Sequence, residues 1–136
     1  MADMQVSLRW LGPGLEFEGG RDDGPTMVLD GNGIAAPSPV QLLLISLGGC
    51  SGADVVEILG KMRVPLEALT VRIEGDRVAE PPRRFTRIKL TYVTRGLDAA
   101  HEDKLRRAVE LSHEKYCSVL HTIRPDGEIQ SEIDLG

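Results

Sequence analysis

Two cysteines, Cys50 and Cys117, are the residues of this 136-residue chain best suited to covalent chemistry. Cys50 stands at the centre of LLLISLGGCSGADVVEIL, residues 42–59, with two glycines before it and Asp54 and Glu57 after it. Cys117 lies 67 residues further on, in EKYCSV. Most free cysteines are small buried hydrophobes, and both of these can be read that way. They can also be read as a redox pair: one thiolate attacks an oxidant, becomes a sulfenic acid and condenses with the other thiol. That second reading needs the two Cα atoms within about 4.4–6.8 Å, a condition the sequence leaves open.

The charges near Cys50 bear on this. An ordinary thiol is roughly 3% thiolate at pH 7. Lowering its pKa to about 6 raises that fraction about 30-fold, but the nucleophilicity of the thiolate falls about ten-fold over the same range. The larger gain lies in stabilising the charge that moves onto the departing oxygen, which needs a fixed cation. Asp54 is four residues from Cys50, on the same helical face, where a carboxylate raises the thiol pKa, as burial does. Cys50 is also too far from a helix N-terminus to profit from the dipole. The thiolate therefore needs a cation from outside its own helix, and Asp54 is then available to hold that cation rather than to face the sulfur.

Other chemistries have weaker signals. His113, Cys117 and His121 fall at i, i+4 and i+8, one face of a continued helix, and two imidazoles with a thiolate are donors zinc accepts. A fourth ligand is not apparent. No Gly-x-Ser-x-Gly is present, and GGCSG lacks the Lys-Ser/Thr of a phosphate loop. The net charge is −5, with 41% apolar and 27% charged residues, as in a soluble globular protein. Basic residues are scattered among acids, so nucleic acid is not an expected partner. Arg83, Arg84, Arg87 and Lys89 read as a solvated strand face. MADMQVSLRW has no apolar run behind a positive start, and Asp54 and Glu57 argue against residues 42–59 spanning a membrane. The expected location is the cytoplasm, where two cysteines are more often free, metal-binding or redox-active than a staple.

The elements that must position these residues follow from periodicity. Gln5–Trp10 and Leu15–Glu18 alternate around a Gly-Pro-Gly turn, and Thr26–Asp30 reads as a third strand before the DGNG turn. Ser38 suits an N-cap and Pro39 the first helical position, which predicts a helix over 39–62. Gly48, Gly49 and Gly52 each cost that helix about 1 kcal/mol relative to Ala, so the close approach of another backbone is expected there. Leu69–Val78 and Phe85–Thr94 alternate about Glu80-Pro-Pro-Arg83 as a hairpin, with Ile88, Leu90 and Tyr92 inward. A second helix over 98–116, capped by Asp98, has Leu105, Ala108, Leu111 and Ser112 as its buried stripe. Ile129, Ser131, Ile133 and Leu135 alternate as a last strand. The order β-β-β-α-β-β-α-β is α+β with mostly antiparallel sheet, in a single domain over residues 1–136.

With those elements in order, SPVQLLLISLGGCSGADVVEIL followed by EKYCSV resembles the OsmC/Ohr family of thiol peroxidases, over nearly the whole chain. The resemblance implies an intertwined homodimer, with antiparallel β-sheets wrapped around two long central helices and active sites at the subunit interface. It implies that Cys50 attacks an organic hydroperoxide, or less efficiently hydrogen peroxide, and that Cys117 resolves the sulfenic acid. A dithiol restores the enzyme, and no metal or organic cofactor is involved; the alternative is a non-catalytic member of the same fold that binds a small apolar or thiol-bearing ligand at the interface. The family sets an arginine beside the reactive sulfur. Arg21 in GGRDDG is the match and Arg9 the alternative. A glutamate near the start of the central helix commonly orients that arginine. Here Val40 and Gln41 occupy the stretch, which leaves Gln41, Glu57 or an N-terminal acid for the task.

Overall fold

Alternating residues separated by a glycine-rich turn build the first part of the chain. The structure, a computed structural model, describes residues 2–123 and 128–136. It forms two compact units, Met1–Leu43 and Leu44–Gly136. In the first, β1 (Ser7–Trp10), β2 (Glu16–Gly20) and β3 (Thr26–Asp30) make an antiparallel sheet in that order, with Trp10 opposite Phe17 and Phe17 opposite Leu29. The β1–β2 turn has Gly12 and Gly14 at φ of 114° and 55°, a region that favours glycine. After β3 the Asp30 carboxylate accepts from the backbone N–H groups of Asn32, Ile34 and Ala35. Those bonds, Ala35 foremost, hold its pKa below the usual value.

The helix α1 runs Pro39–Lys61 and begins as its sequence indicates. The Ser38 Oγ accepts from the Gln41 N–H at 3.1 Å, and the Gln41 Oε1 accepts from the Ser38 N–H at 2.9 Å. This reciprocal capping box satisfies two donors that a helix start leaves orphaned. At the far end, Val64 N–H reaches the Leu59 carbonyl and Arg63 N–H the Gly60 carbonyl. That is a Schellman stop, with Arg63 rather than glycine at φ 60°. By length and apolar composition alone α1 is long and apolar enough to cross a membrane, a test that the core helix of a folded domain passes as well. Its residues Leu47, Val55 and Leu59 nonetheless belong to the core of the second unit.

In that unit β4 (Ala68–Arg77) and β5 (Phe85–Arg95) form the expected hairpin, with Val71 opposite Tyr92. β6 (Glu128–Asp134) completes the order β4-β5-β6 but pairs parallel to β5, Ile88 opposite Ile129. The sheets are mostly antiparallel as expected, three pairings of four, and this pairing is the parallel exception. A strand that returns through a helical crossover runs the same way as the one it left. The crossover holds α2 (Glu102–Leu111) and α3 (Ser118–Ile123). Asp98 caps its first turn of 3₁₀ helix by accepting from Ala100 N–H at 3.1 Å. Residues 98–116 are not one regular helix: Ser112–Tyr116 widen into a π turn. Leu105, Ala108 and Ser112 are buried as expected, whereas Val109 is buried and Leu111 only partly so. The fold is α+β, with two sheets and helices.

Two of the α1 glycines are explained by side chains rather than by a backbone. A Cβ at Gly48 would stand 2.5 Å from Ile73 Cδ1, and one at Gly52 3.3 Å from Val71 Cγ2, so β4 packs directly onto this helix. Gly49 faces open space.

Candidate active site

The α1 helix presents Cys50 and Asp54 one turn apart, and the crossover presents Cys117. The two sulfurs and a carboxylate oxygen of Asp54 all lie within 4.8 Å of one another. Both cysteines are free; Cys50 is half-buried and Cys117 fully buried. The π turn makes this convergence possible. Residues five apart on an α-helix point about 140° away from each other. Widening the turn to an i→i+5 bond, Cys117 N–H to the Ser112 carbonyl at 2.8 Å, brings both residues toward one side. Cys117 itself is extended, at φ −75° and ψ 97°, and ends the turn.

Burial pushes the Cys117 thiol up to about 11, and the neighbouring Cys50 and Asp54 add to the rise. Cys117 is therefore held as a thiol and Cys50 is the more accessible sulfur. Asp54 does not fill the position the sequence suggested. It faces both sulfurs, and its Oδ2 accepts from the Ser112 hydroxyl at 2.9 Å. Three such donors form a set that metals use elsewhere, but a ligating cysteine must be a thiolate, the form that burial disfavours at Cys117. No metal is assigned to the trio.

Behind Asp54 runs a line of polar side chains that sequence reasoning missed. Ser112 Oγ lies 2.8 Å from Ser51 Oγ, which lies 2.6 Å from Tyr92 Oη, which lies 2.8 Å from His113 Nε2. Ser51, Ser112 and Tyr92 are essentially inaccessible to solvent. Leaving any of these buried hydroxyls unpaired costs about 1–3 kcal/mol, and each has two partners. Burial raises the Tyr92 phenol to about 12 and lowers the His113 pKa. The available signal was a polar group on each apolar face: Ser112 on the helical stripe, Tyr92 among the inward residues of β5 and Ser51 beside Cys50.

The remaining expected residues fall as follows. Arg21 is exposed in the turn between β2 and β3, where its carbonyl accepts from Gly24 N–H at 3.2 Å. Arg9 pairs with Glu18 across β1 and β2 at 2.8 Å. Gln41 is engaged in the capping box and Glu57 in an exposed pair with Lys61 at 3.4 Å. Of the basic strand face, Arg87 pairs with Asp76 and Lys89 with Glu132. The His113, Cys117 and His121 arrangement fails because the extended Cys117 interrupts the helix that was to align them. The ring nitrogen Nε2 of His113 meets Tyr92, and that of His121 meets the His113 carbonyl at 2.9 Å. Asp54 also stands in the wall of a recess of about 350 Å³ formed with Ile58, Met62, Leu111 and Tyr116.

A family model described as OsmC-like protein matches residues 30–132, which include every residue of this cluster. The chain belongs to the OsmC-like family. Protein YhfA of Escherichia coli K12 is 43% identical to this OsmC-like chain over 117 residues, 85% of the chain and 86% of YhfA. A hypothetical protein from Aquifex aeolicus VF5 superposes with a TM-score of 0.81 at 31% identity, covering 98% of each chain. An organic hydroperoxide resistance protein OsmC from Legionella pneumophila gives a TM-score of 0.68 at 20% identity, covering 99% of this chain and all of its own. That last likeness is one of fold. The OsmC/Ohr family includes peroxidase-like redox proteins.

Proposed function

We propose that this OsmC-like chain is a thiol-dependent peroxidase, acting in the cytoplasm as a homodimer, with Cys50 as the nucleophile and Cys117 as the resolving thiol. The observation that carries the reading is the approach of two sulfurs, 67 residues apart in sequence, to within 4.8 Å, one half-buried and the other buried. The Cys50 thiolate attacks the distal oxygen of an organic hydroperoxide, the O–O bond breaks, and the alcohol leaves with a proton. Cys117 then attacks the Cys50 sulfenic sulfur, a disulfide forms, and the hydroxyl departs as water. An external dithiol reduces the disulfide by exchange. Arg21, or Arg9 in its place, is the proposed cation that stabilises charge on the leaving oxygen.

The test is a titration of the reduced protein with cumene hydroperoxide. One equivalent consumes both thiols and leaves a Cys50–Cys117 disulfide visible by mass spectrometry. Cys50→Ser abolishes turnover with a dithiol, and Cys117→Ser leaves a sulfenic acid on Cys50 that dimedone traps. Arg21→Ala slows the peroxide step alone. Thiols that survive excess hydroperoxide would reject the reading.

A further inference from the structure

The hydrogen-bond line behind Asp54 has a direction that its geometry fixes. A hydroxyl carries one proton, and Ser112 donates its own to Asp54 Oδ2. Ser112 must therefore accept from Ser51, and Ser51, its proton now used, must accept from Tyr92. Tyr92 in turn accepts from His113, which places a proton on His113 Nε2. Four side chains, Ser51 from α1, Tyr92 from β5 and Ser112 and His113 from the π turn, thus point their protons one way, toward the carboxylate that faces the two sulfurs.

We propose that Asp54 takes the proton Cys117 loses as it attacks oxidised Cys50, and that Ser112, Ser51, Tyr92 and His113 are a proton chain linking that carboxylate to His113. This rests on the reading of Cys50 and Cys117 as a redox pair. In the step, the Cys117 sulfur bonds to the Cys50 sulfur, the Cys50–X bond breaks, and the thiol proton passes to Asp54. When X is hydroxyl, Asp54 returns that proton to the departing hydroxide and water leaves. The chain has its own balanced transfer. One proton moved along each of its four bonds converts an Asp54 carboxylate and a His113 imidazolium into a carboxylic acid and a neutral imidazole protonated on Nδ1.

The need for such a group follows from the site. A thiol with a pKa of about 11 is ionised in roughly one molecule in 10⁴ at pH 7, so attack by a preformed Cys117 thiolate is slow. A carboxylate beside two sulfurs is a poor choice for holding thiolates and a sound one for receiving a proton. General bases placed this way contribute about 10²–10⁴-fold. Other charged groups near Asp54 are Glu57 and Lys61 on the rim of its recess, already paired with each other, and the Tyr116 phenol. His113 is faced by Tyr92, and its backbone carbonyl by His121.

The experiment uses an aromatic disulfide, 5,5′-dithiobis(2-nitrobenzoate), so that no peroxide is involved. The first thionitrobenzoate released reports formation of the mixed disulfide on Cys50, and the second reports attack by Cys117. Asp54→Asn slows the second release relative to the first at pH 7 by about 10-fold or more. The second recovers as pH rises toward the Cys117 range, and Asp54→Glu restores part of it at pH 7. Ser112→Ala keeps the carboxylate but cuts the chain; it slows the second release less than Asp54→Asn does and shifts the ¹⁵N signature of His113 away from the Nε2–H tautomer seen in wild type. A second release in Asp54→Asn as fast as wild type, or both releases slowed equally, overturns the role of Asp54. Wild-type His113 protonated on Nδ1 alone overturns the chain. Hydroperoxide that spares both thiols rejects the peroxidase reading while two-phase release stays intact, so the two failures are separable.

Discussion

At the scale of single residues, the site combines a half-exposed sulfur with one that burial keeps protonated. This has a consequence for stability. The Cys117 thiol is raised from 9.0 to about 11 in the folded chain, so the native state holds that proton more tightly than the unfolded chain does. Its contribution is fully present below about pH 9 and is lost as pH rises through about 11. Tyr92, raised from 10.0 to about 12, adds a second loss just above the first. Urea unfolding midpoints measured with reductant between pH 8 and 11 are expected to fall, and to fall less steeply in Cys117→Ala, whatever that variant's cavity costs at pH 8. Equal slopes would mean the thiol titrates alike in both states. The sequence made Cys50, Cys117 and the proximity of Asp54 legible, because i, i+4 spacing on a helix is a local fact. The chain from Ser112 to His113 was not legible. Its bonds join residues 21 to 61 positions apart, and only the packing of β5 and the crossover against α1 brings them into line.

At the scale of elements, α1 was the easiest to read and its ends show why. Ser38, Pro39 and Gln41 carry the start within four residues, and the predicted boundary at Pro39 holds. The same residues explain why Gln41 does not orient an arginine: a helix N-terminus with unpaired N–H groups claims it first. The C-terminus lacks the glycine that marks most Schellman stops, and Arg63 adopts the left-handed conformation at a cost. A left-handed residue with a Cβ costs roughly 1–2 kcal/mol, so Arg63→Gly is expected to exceed Arg63→Ala in stability by about 1 kcal/mol, read from denaturant midpoints. The alanine variant serves as the reference because both lose the arginine's charge near the helix dipole. Equal stabilities would show that the loop, and not the φ angle, limits this end. The crossover was harder. Its sequence supports a plain helix over 98–116, and the π turn that aims Ser112 and Cys117 together is a tertiary outcome that periodicity does not encode.

At the scale of the whole molecule, the chain leaves apolar surface that a monomer rarely exposes. On α1, Ile45 and Val56 are 51% and 52% exposed, on the same side as the uncovered Gly49. They border a groove of about 860 Å³ whose far wall is Leu66, Leu69, Val71 and Ile73. In the first unit Leu8 and Trp10 are 60% and 57% exposed. Contiguous apolar patches of this kind mark association sites, and a second copy of the chain is the occupant that the proposed homodimer supplies. A charge placed in such a groove would be buried without a partner, which costs several kcal/mol per ion. Val56→Glu is therefore expected to convert the dimer to a monomer at micromolar concentration, measured by light scattering during gel filtration, and to leave the helical circular dichroism intact. Exposed Arg107→Ala, on α2 and outside the groove, loses only a solvent-screened pair with Glu110 and should leave the dimer unchanged. A wild-type protein that elutes as a monomer at the highest workable concentration would remove the dimer from the proposal. The Cys50–Cys117 pairing would survive that result, since both sulfurs and Asp54 belong to one chain's second unit.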